Sequence, residues 1–291
     1  MLLPEFDHRQ IDTGEVAIHT RVAGSGPPLL LLHGYPQTHV CWHKVAPALA
    51  KHFTVVLTDL RGYGDSSKPD ASSDHSTYCK RSMARDQVAV MKALGFDTFQ
   101  VAAHDRGGRV AHRMALDFPD AVERWAVLDI APTLATFEHA DQRFARVSYH
   151  WFFLSQPYDL PERLIGADPE FFLRWTINSW AKVPGSMEEK AIEEYLRCFC
   201  TTEGIHASCE DYRAAANIDL EHDRADLDRK VAAPLLALWG AQARIGKLFS
   251  VLGLWRERVV DAQGHTLPGG HFLPEECPNE VIKELLEFFR R

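Results

Sequence analysis

The chain has 291 residues, 46% of them hydrophobic, and a formal net charge of −8. This length permits one large core, with or without an inserted smaller domain, and the acidity argues against nucleic acid or an anionic membrane as partner. A small anion is compatible, because a local cation in a dry pocket outweighs a weak global field at short range.

No apolar run approaches the roughly eighteen residues of a membrane span. The start Met1-Leu2-Leu3-Pro4-Glu5 does not read as a signal peptide. The six cysteines (Cys41, Cys79, Cys198, Cys200, Cys209, Cys277) form no CxxC pair, and Cys198-Phe199-Cys200 is too tight for a zinc knuckle. Free thiols in a reducing, cytoplasmic setting are therefore expected, with no metal.

Residues 11–22 alternate loosely and end at Gly24-Ser25-Gly26-Pro27, which predicts an antiparallel hairpin at a sheet edge. Leu29 to Leu32 is a continuous apolar run, as in a buried central strand. It ends in His33-Gly34-Tyr35-Pro36, where the glycine allows a sharp turn and leaves N–H groups facing a cavity. Trp42 to Leu49 fits a short helix and Phe53 to Leu57 the next strand. Gly62 and Gly64 then read as turn glycines, because neither GxGxxG spacing nor a P-loop lysine is present. Ser82 can cap a helix carrying Met83, Val88, Met91 and Leu94, with Gly95 just past its end. Strands follow at Phe99 to Ala103 and Val122 to Ile130.

Near residue 132 the strand–helix alternation stops. Glu138–Phe153, Phe171–Trp180, Met187–Phe199 and Glu203–Ala216 all read as helical. A strand pattern returns at Leu235–Trp239, a weaker one lies at Arg258–Ala262, and Pro278–Phe289 closes the chain as an amphipathic helix. The fold class is α/β: a mostly parallel sheet core, residues 1–132 and 225–291, with an all-helical cap, residues 133–224. The cap follows the strand carrying Asp129, so it can roof the C-terminal edge of the sheet, the usual binding edge. Trp151, Phe152, Phe153, Trp175 and Trp180 would then partly line a pocket, or serve simply as core.

The chemistry centres on Val101-Ala102-Ala103-His104-Asp105-Arg106-Gly107-Gly108-Arg109. Small residues two before and two after Asp105, between a strand and a helical pattern, have the spacing of a nucleophile elbow. With Asp in place of Ser, the carboxylate attacks carbon and forms an ester with the enzyme. His271 is the candidate base that activates water against that ester, with His265 as rival. Leu238-Trp239-Gly240-Ala241-Gln242-Ala243 holds no acid to orient the histidine, which leaves Asp129, otherwise a helix cap or surface residue. The N–H groups of Tyr35 and Arg106 are the candidate oxyanion donors. Arg106 and Arg109 make sense as a fork for a substrate carboxylate, unless Arg109 reaches an acid elsewhere in the fold. His150, Trp151 and Tyr212 offer donors to a compact leaving anion such as halide, although spacing alone does not make them converge.

The elbow Asp105-Arg106-Gly107-Gly108-Arg109-Val110-Ala111-His112-Arg113, with His33-Gly34-Tyr35-Pro36-Gln37, His150-Trp151, His206 to Ala215 and Gly270-His271-Phe272-Leu273-Pro274-Glu275-Glu276, closely resembles the fluoroacetate (haloacetate) dehalogenases, α/β-hydrolases with a helical cap. The resemblance runs through core and cap. It implies Asp105 as nucleophile, His271 as base, Asp129 as its orienting acid, and Arg106 and Arg109 on the substrate carboxylate. It further implies His150, Trp151 and Tyr212 around the halide, Trp180 in the pocket wall, no metal or organic cofactor, and a homodimer. Tyr35 departs from the family's common form, in which this aromatic lacks a hydroxyl.

An epoxide hydrolase is the alternative, using the same Asp and His with Tyr212 and either Tyr149 or Tyr158 as acids; the two arginines are unneeded there. A haloalkane dehalogenase would carry Trp where this chain has Arg106, and a serine esterase would need a Gly-x-Ser-x-Gly that does not occur. A non-catalytic small-anion binder is the reading from a different class.

Overall fold

The computed structural model describes residues 2–291. Its strands are Asp7–Asp12 (β1), Ala17–Ala23 (β2), Pro28–Leu32 (β3), Thr54–Thr58 (β4), Phe99–His104 (β5), Val122–Leu128 (β6), Leu235–Gly240 (β7) and Ala262–Leu267 (β8). They form one sheet in the order β1-β2-β4-β3-β5-β6-β7-β8. The β1–β2 hairpin and the β2–β4 pair are antiparallel, and the remaining neighbours are parallel. Leu29 to Leu32, Val55 to Leu57 and Val101 to Ala103 are buried, as near-continuous apolar runs must be in strands covered on both faces. β1 and β8 are the two edges of the sheet, and on β1 the exposed Asp7, His8, Arg9 and Gln10 discourage pairing with another chain.

The expected hairpin, central strands and closing helix Pro278–Phe289 are all present. Several local expectations are corrected. The helix after β4 spans Lys80–Ala93 and is capped by Cys79, whose Sγ accepts the Ser82 N–H at 3.4 Å; Ser82 lies inside the first turn. The last strand is Ala262–Leu267, four residues later than its predicted start. Residues Val251–Arg258 are helical, because Trp255 is fully buried and donates its indole N–H to the Ile130 carbonyl at 3.1 Å. Val259 forms only an isolated bridge to Val231, outside the sheet's strands, and the first contact with β7 is made by the Asp261 carbonyl, which accepts the Leu235 N–H at 2.9 Å. The strand itself is a polar, half-exposed edge and lacks an apolar run.

Between β6 and β7 the described chain holds eight helices and no strand. The stretch expected as one helix, Glu138–Phe153, is broken into Thr133–Glu138, Gln142–Val147 and His150–Leu154. Asp141 makes the second start by accepting the Phe144 N–H at 2.7 Å. This helical insertion lies over the C-terminal ends of the parallel strands. No helix among the described residues is long and apolar enough to cross a membrane.

The sheet centre carries a tight crossing. The Gly107 N–H donates to the His33 carbonyl at 2.9 Å, and a Cβ on Gly107 would lie 2.4 Å from that oxygen. Gly107→Ala should therefore destabilise by about 1–3 kcal/mol through overpacking, reversing the gain of about 1 kcal/mol usual for this change inside a helix. Denaturant unfolding of the variant gives the sign directly.

Candidate active site

β5 passes into the helix Asp105–Asp117 with no intervening loop. The turn is made at Asp105 itself, whose φ is +45°. A non-glycine residue in that region costs roughly 1–3 kcal/mol and persists only where its surroundings enforce it. Gly34 supplies the room: a Cβ there would come within 2.4 Å of the Asp105 Cβ. The backbone after β3 thus approaches closely enough for the Tyr35 N–H to donate to Asp105 Oδ1 at 2.9 Å. The Arg106 N–H is among the helix's first four amides, which have no carbonyl partner within the helix.

His271 reaches the carboxylate from the loop after β8. Its Nε2 is buried, has no hydrogen-bond partner and lies 3.9 Å from Asp105 Oδ2. Its Nδ1 faces Asp129 Oδ2 at 2.7 Å, and Asp129 Oδ1 accepts the Gly240 N–H at 3.0 Å. Asp129 follows β6 and also has a left-handed backbone, φ +54°. His104 Nε2 donates to the His271 carbonyl at 2.8 Å and steadies that loop. The rival His265 lies on β8, exposed, with Nε2 3.3 Å from Glu284.

The two arginines differ. Arg106 donates Nε and Nη2 to the two oxygens of Asp211, at 2.8 and 2.7 Å, and Nη2 also to the Asp211 carbonyl. Only its Nη1 is buried without a partner. Arg109, the one for which an acid partner was in prospect, has none: its Nη1 donates to the Ala131 carbonyl and Thr133 Oγ1, and its Nε is unpartnered. Asp211 sits on the insertion helix Thr202–Ala216 and also receives Lys80 Nζ and, at 2.6 Å, the Tyr63 hydroxyl. Burial pushes the Asp211 carboxyl up, but Arg106 and Lys80 outweigh it and hold it well below the carboxylate range. Burial likewise opposes ionisation of Asp105, yet His271, His104, Arg106 and Arg109 together lower it to about 2.

The insertion brings His150, Trp151, Trp180 and Tyr212 together over Asp105. The His150 ring is 4.5 Å from that of Trp180 and 5.8 Å from that of Tyr212; Trp151 is 6.3 Å from Tyr212. Arg106 Cζ lies 4.2 Å over the Tyr212 ring and Arg109 Cζ 4.5 Å over that of Trp151. Burial keeps His150 neutral, and its Nδ1 has no partner. The half-open cavity measures ≈ 50 Å³. At about 10–15 Å³ per water-sized body, that suits a few heavy atoms. Of the other aromatics expected near the pocket, Trp175 is largely exposed and Phe152 and Phe153 pack half-buried among insertion side chains. Tyr158 is 72% exposed, and Tyr149 packs against Trp175 and Phe153. The Tyr35 ring packs edge-on to Tyr212, with its hydroxyl buried and unpartnered.

Two residues at the site escaped the sequence reading. Asp211 stood within a recognisable segment, but nothing local marks it as the partner of Arg106. Arg244, just after the acid-free end of β7, lines the same cavity as Asp105 and His271.

The sequence pattern of the alpha/beta hydrolase fold matches residues 27–278. A fluoroacetate dehalogenase from Burkholderia sp is 46% identical over 97% of this chain and 93% of its own length. The chain belongs to the haloacetate dehalogenase family of the α/β-hydrolase superfamily. A soluble epoxide hydrolase from Corynebacterium sp. is 36% identical, with 98% of each chain covered. A solved α/β-hydrolase structure from Nostoc sp PCC 7120 superimposes with a TM-score of 0.98, at 54% identity and 99% coverage of both chains.

In this member of the family, the Arg106–Asp211 pair ties core to insertion. Asp211→Asn leaves Arg106 and Lys80 buried with their shared charge removed, and should cost about 3–5 kcal/mol. A drop in Tm at neutral pH, measured by calorimetry, checks it; an unchanged Tm would show that the pair carries no stability.

Proposed function

We propose that this chain hydrolyses fluoroacetate and other short 2-haloacids to the 2-hydroxy acid and halide, through an ester on Asp105. The observation that carries this reading is the placement of the Asp105 carboxylate, with one free face, beside a histidine–carboxylate pair and between cations held off it by other partners. In this reading residues 133–224 are the cap. The substrate carboxylate lies on Arg109 and the unpartnered Nη1 of Arg106.

A lone pair of Asp105 forms the new C–O bond as the carbon–halogen bond breaks, and the halide leaves with its electron pair. His150, Trp151 and Tyr212 compensate the halide for lost water, a term that matters most for fluoride. His271 Nε2 then takes a proton from water, and the hydroxide adds to Asp105 Cγ. The N–H of Tyr35, with that of Arg106, stabilises the oxyanion. Collapse expels the hydroxy-acid alkoxide, which recovers the proton from His271, and Asp105 loses its own proton to solvent. Asp129 keeps the His271 proton on Nδ1 and offsets the imidazolium charge. This sequence uses no metal or organic cofactor. The free cysteines support a reducing, cytoplasmic setting, and the family likeness supports a homodimer.

Fluoride-electrode assays with fluoroacetate, run beside chloroacetate and styrene oxide, test the reading. Halide release from the acids is expected; turnover of the epoxide alone would transfer the chain to epoxide hydrolysis, the reaction named for its Corynebacterium relative. For that chemistry Tyr212 would need a second tyrosine; Tyr158 points outward, which leaves Tyr149 as the candidate. Asp105→Asn should abolish halide release. His271→Asn should release one equivalent and stop, with mass spectrometry finding a carboxymethyl adduct on Asp105; an adduct elsewhere would remove Asp105 from its role.

The pH dependence follows from the lowered carboxyl. Asp105 with a pKa of about 2 is charged wherever the protein is folded at moderate pH. The pre-steady-state halide burst should therefore be flat from about pH 4 to 8. An acid limb within that window would mean that Asp105 is protonated there.

A further inference from the structure

We propose that Arg244 is an anion-capturing residue at the mouth of the Asp105 pocket, taking the carboxylate of the incoming acid before Arg109 receives it and favouring anionic over neutral substrates. The proposal deepens the reading of this pocket as a small-acid site and rests on it.

Arg244 comes from the core, on the loop that follows β7, and its side chain lines the cavity with Asp105, His150 and His271. Its Cζ stacks 4.7 Å over the Trp180 ring, and Nη1 donates to the Val147 carbonyl at the end of an insertion helix. A guanidinium has five N–H donors; one is used here, and no carboxylate is paired with it among the described residues. The three arginines at the pocket therefore form a graded set. Arg106, the innermost, is matched by Asp211, while Arg109 and the half-buried Arg244 have no acid partner. Holding a guanidinium out of water without an anion is costly, and an anion drawn from solvent relieves that cost at both positions. Trp180 and Val147 fix the outer guanidinium in place, so a carboxylate meets a preset fork and not a freely moving side chain.

The same contacts would suit a bare strap between core and insertion, and the test separates the two. Acetate and glycolate lack a leaving group, so calorimetric titration of either into the whole protein reads the site without turnover. Arg244→Met should weaken both by about tenfold, and Arg244→Lys should recover most of the loss. With chloroacetate, kcat/KM should fall in Arg244→Met through KM, and its decline with added salt should become shallower. Unchanged acetate affinity with a lowered Tm would overturn the proposal in favour of a strap. A fall in kcat at constant KM would overturn it in favour of positioning His271. Absence of saturable acetate binding to the wild type would also overturn it. Arg244-dependent acetate binding without any halide release would keep the capture site and refute the dehalogenase reading; halide turnover with acetate binding indifferent to Arg244 would do the reverse.

Discussion

A carboxylate that is to attack carbon, the role proposed for Asp105, must be charged, dry and only lightly hydrogen-bonded. Water removal favours its neutral form, and a cation close enough to prevent that can also bond to it and blunt it. The site meets these opposed demands by distance and by distraction. Arg106 is turned toward Asp211, Arg109 toward the Ala131 carbonyl and Thr133, and His271 toward Asp129. Each contributes its field to Asp105 while its hydrogen bonds go elsewhere. The only direct hydrogen bond to the carboxylate among the described residues is from the Tyr35 backbone.

The same arrangement couples insertion to core. Asp211 arrives on an insertion helix, and the adjacent Tyr212 is laid over Arg106 by that contact. Docking this helix thus sets the charge environment of the carboxylate and the position of a proposed halide donor in one event. Backbone strain enters at the same site, where Asp105 and Asp129 both adopt left-handed backbone immediately after parallel strands. A parallel sheet buried on both faces is rigid enough to hold two such residues, and their carboxylates reach His271 from adjacent strands because of it.

Much of this was legible in the chain itself. The elbow is written in small residues around Asp105, and the acid after β6 could be inferred because the end of β7 offers none. The position of β8 and the place of Arg244 were not legible for a shared reason: hydrophobic periodicity reports what is buried in apolar contact, while an edge strand and a cation over an aromatic ring are polar features in exposed-looking sequence. Asp211 posed the same difficulty. Its neighbours Glu210 and Arg213 suggest a solvated helix face, yet all three are buried in ion pairs. Long-range charge pairing leaves no periodic trace, so the division of labour between Arg106 and Arg109 became visible only in three dimensions.

The placement of Asp129 has a consequence for how such enzymes diversify. A histidine on the loop after β8 can be met by an acid from the end of β6 or from the end of β7, and this chain occupies the first address. The second, at the end of β7, holds no acid in this chain. The loop that follows it carries an arginine into the pocket instead. Where one negative charge is housed thus decides which position at the rim is left open to a positive one.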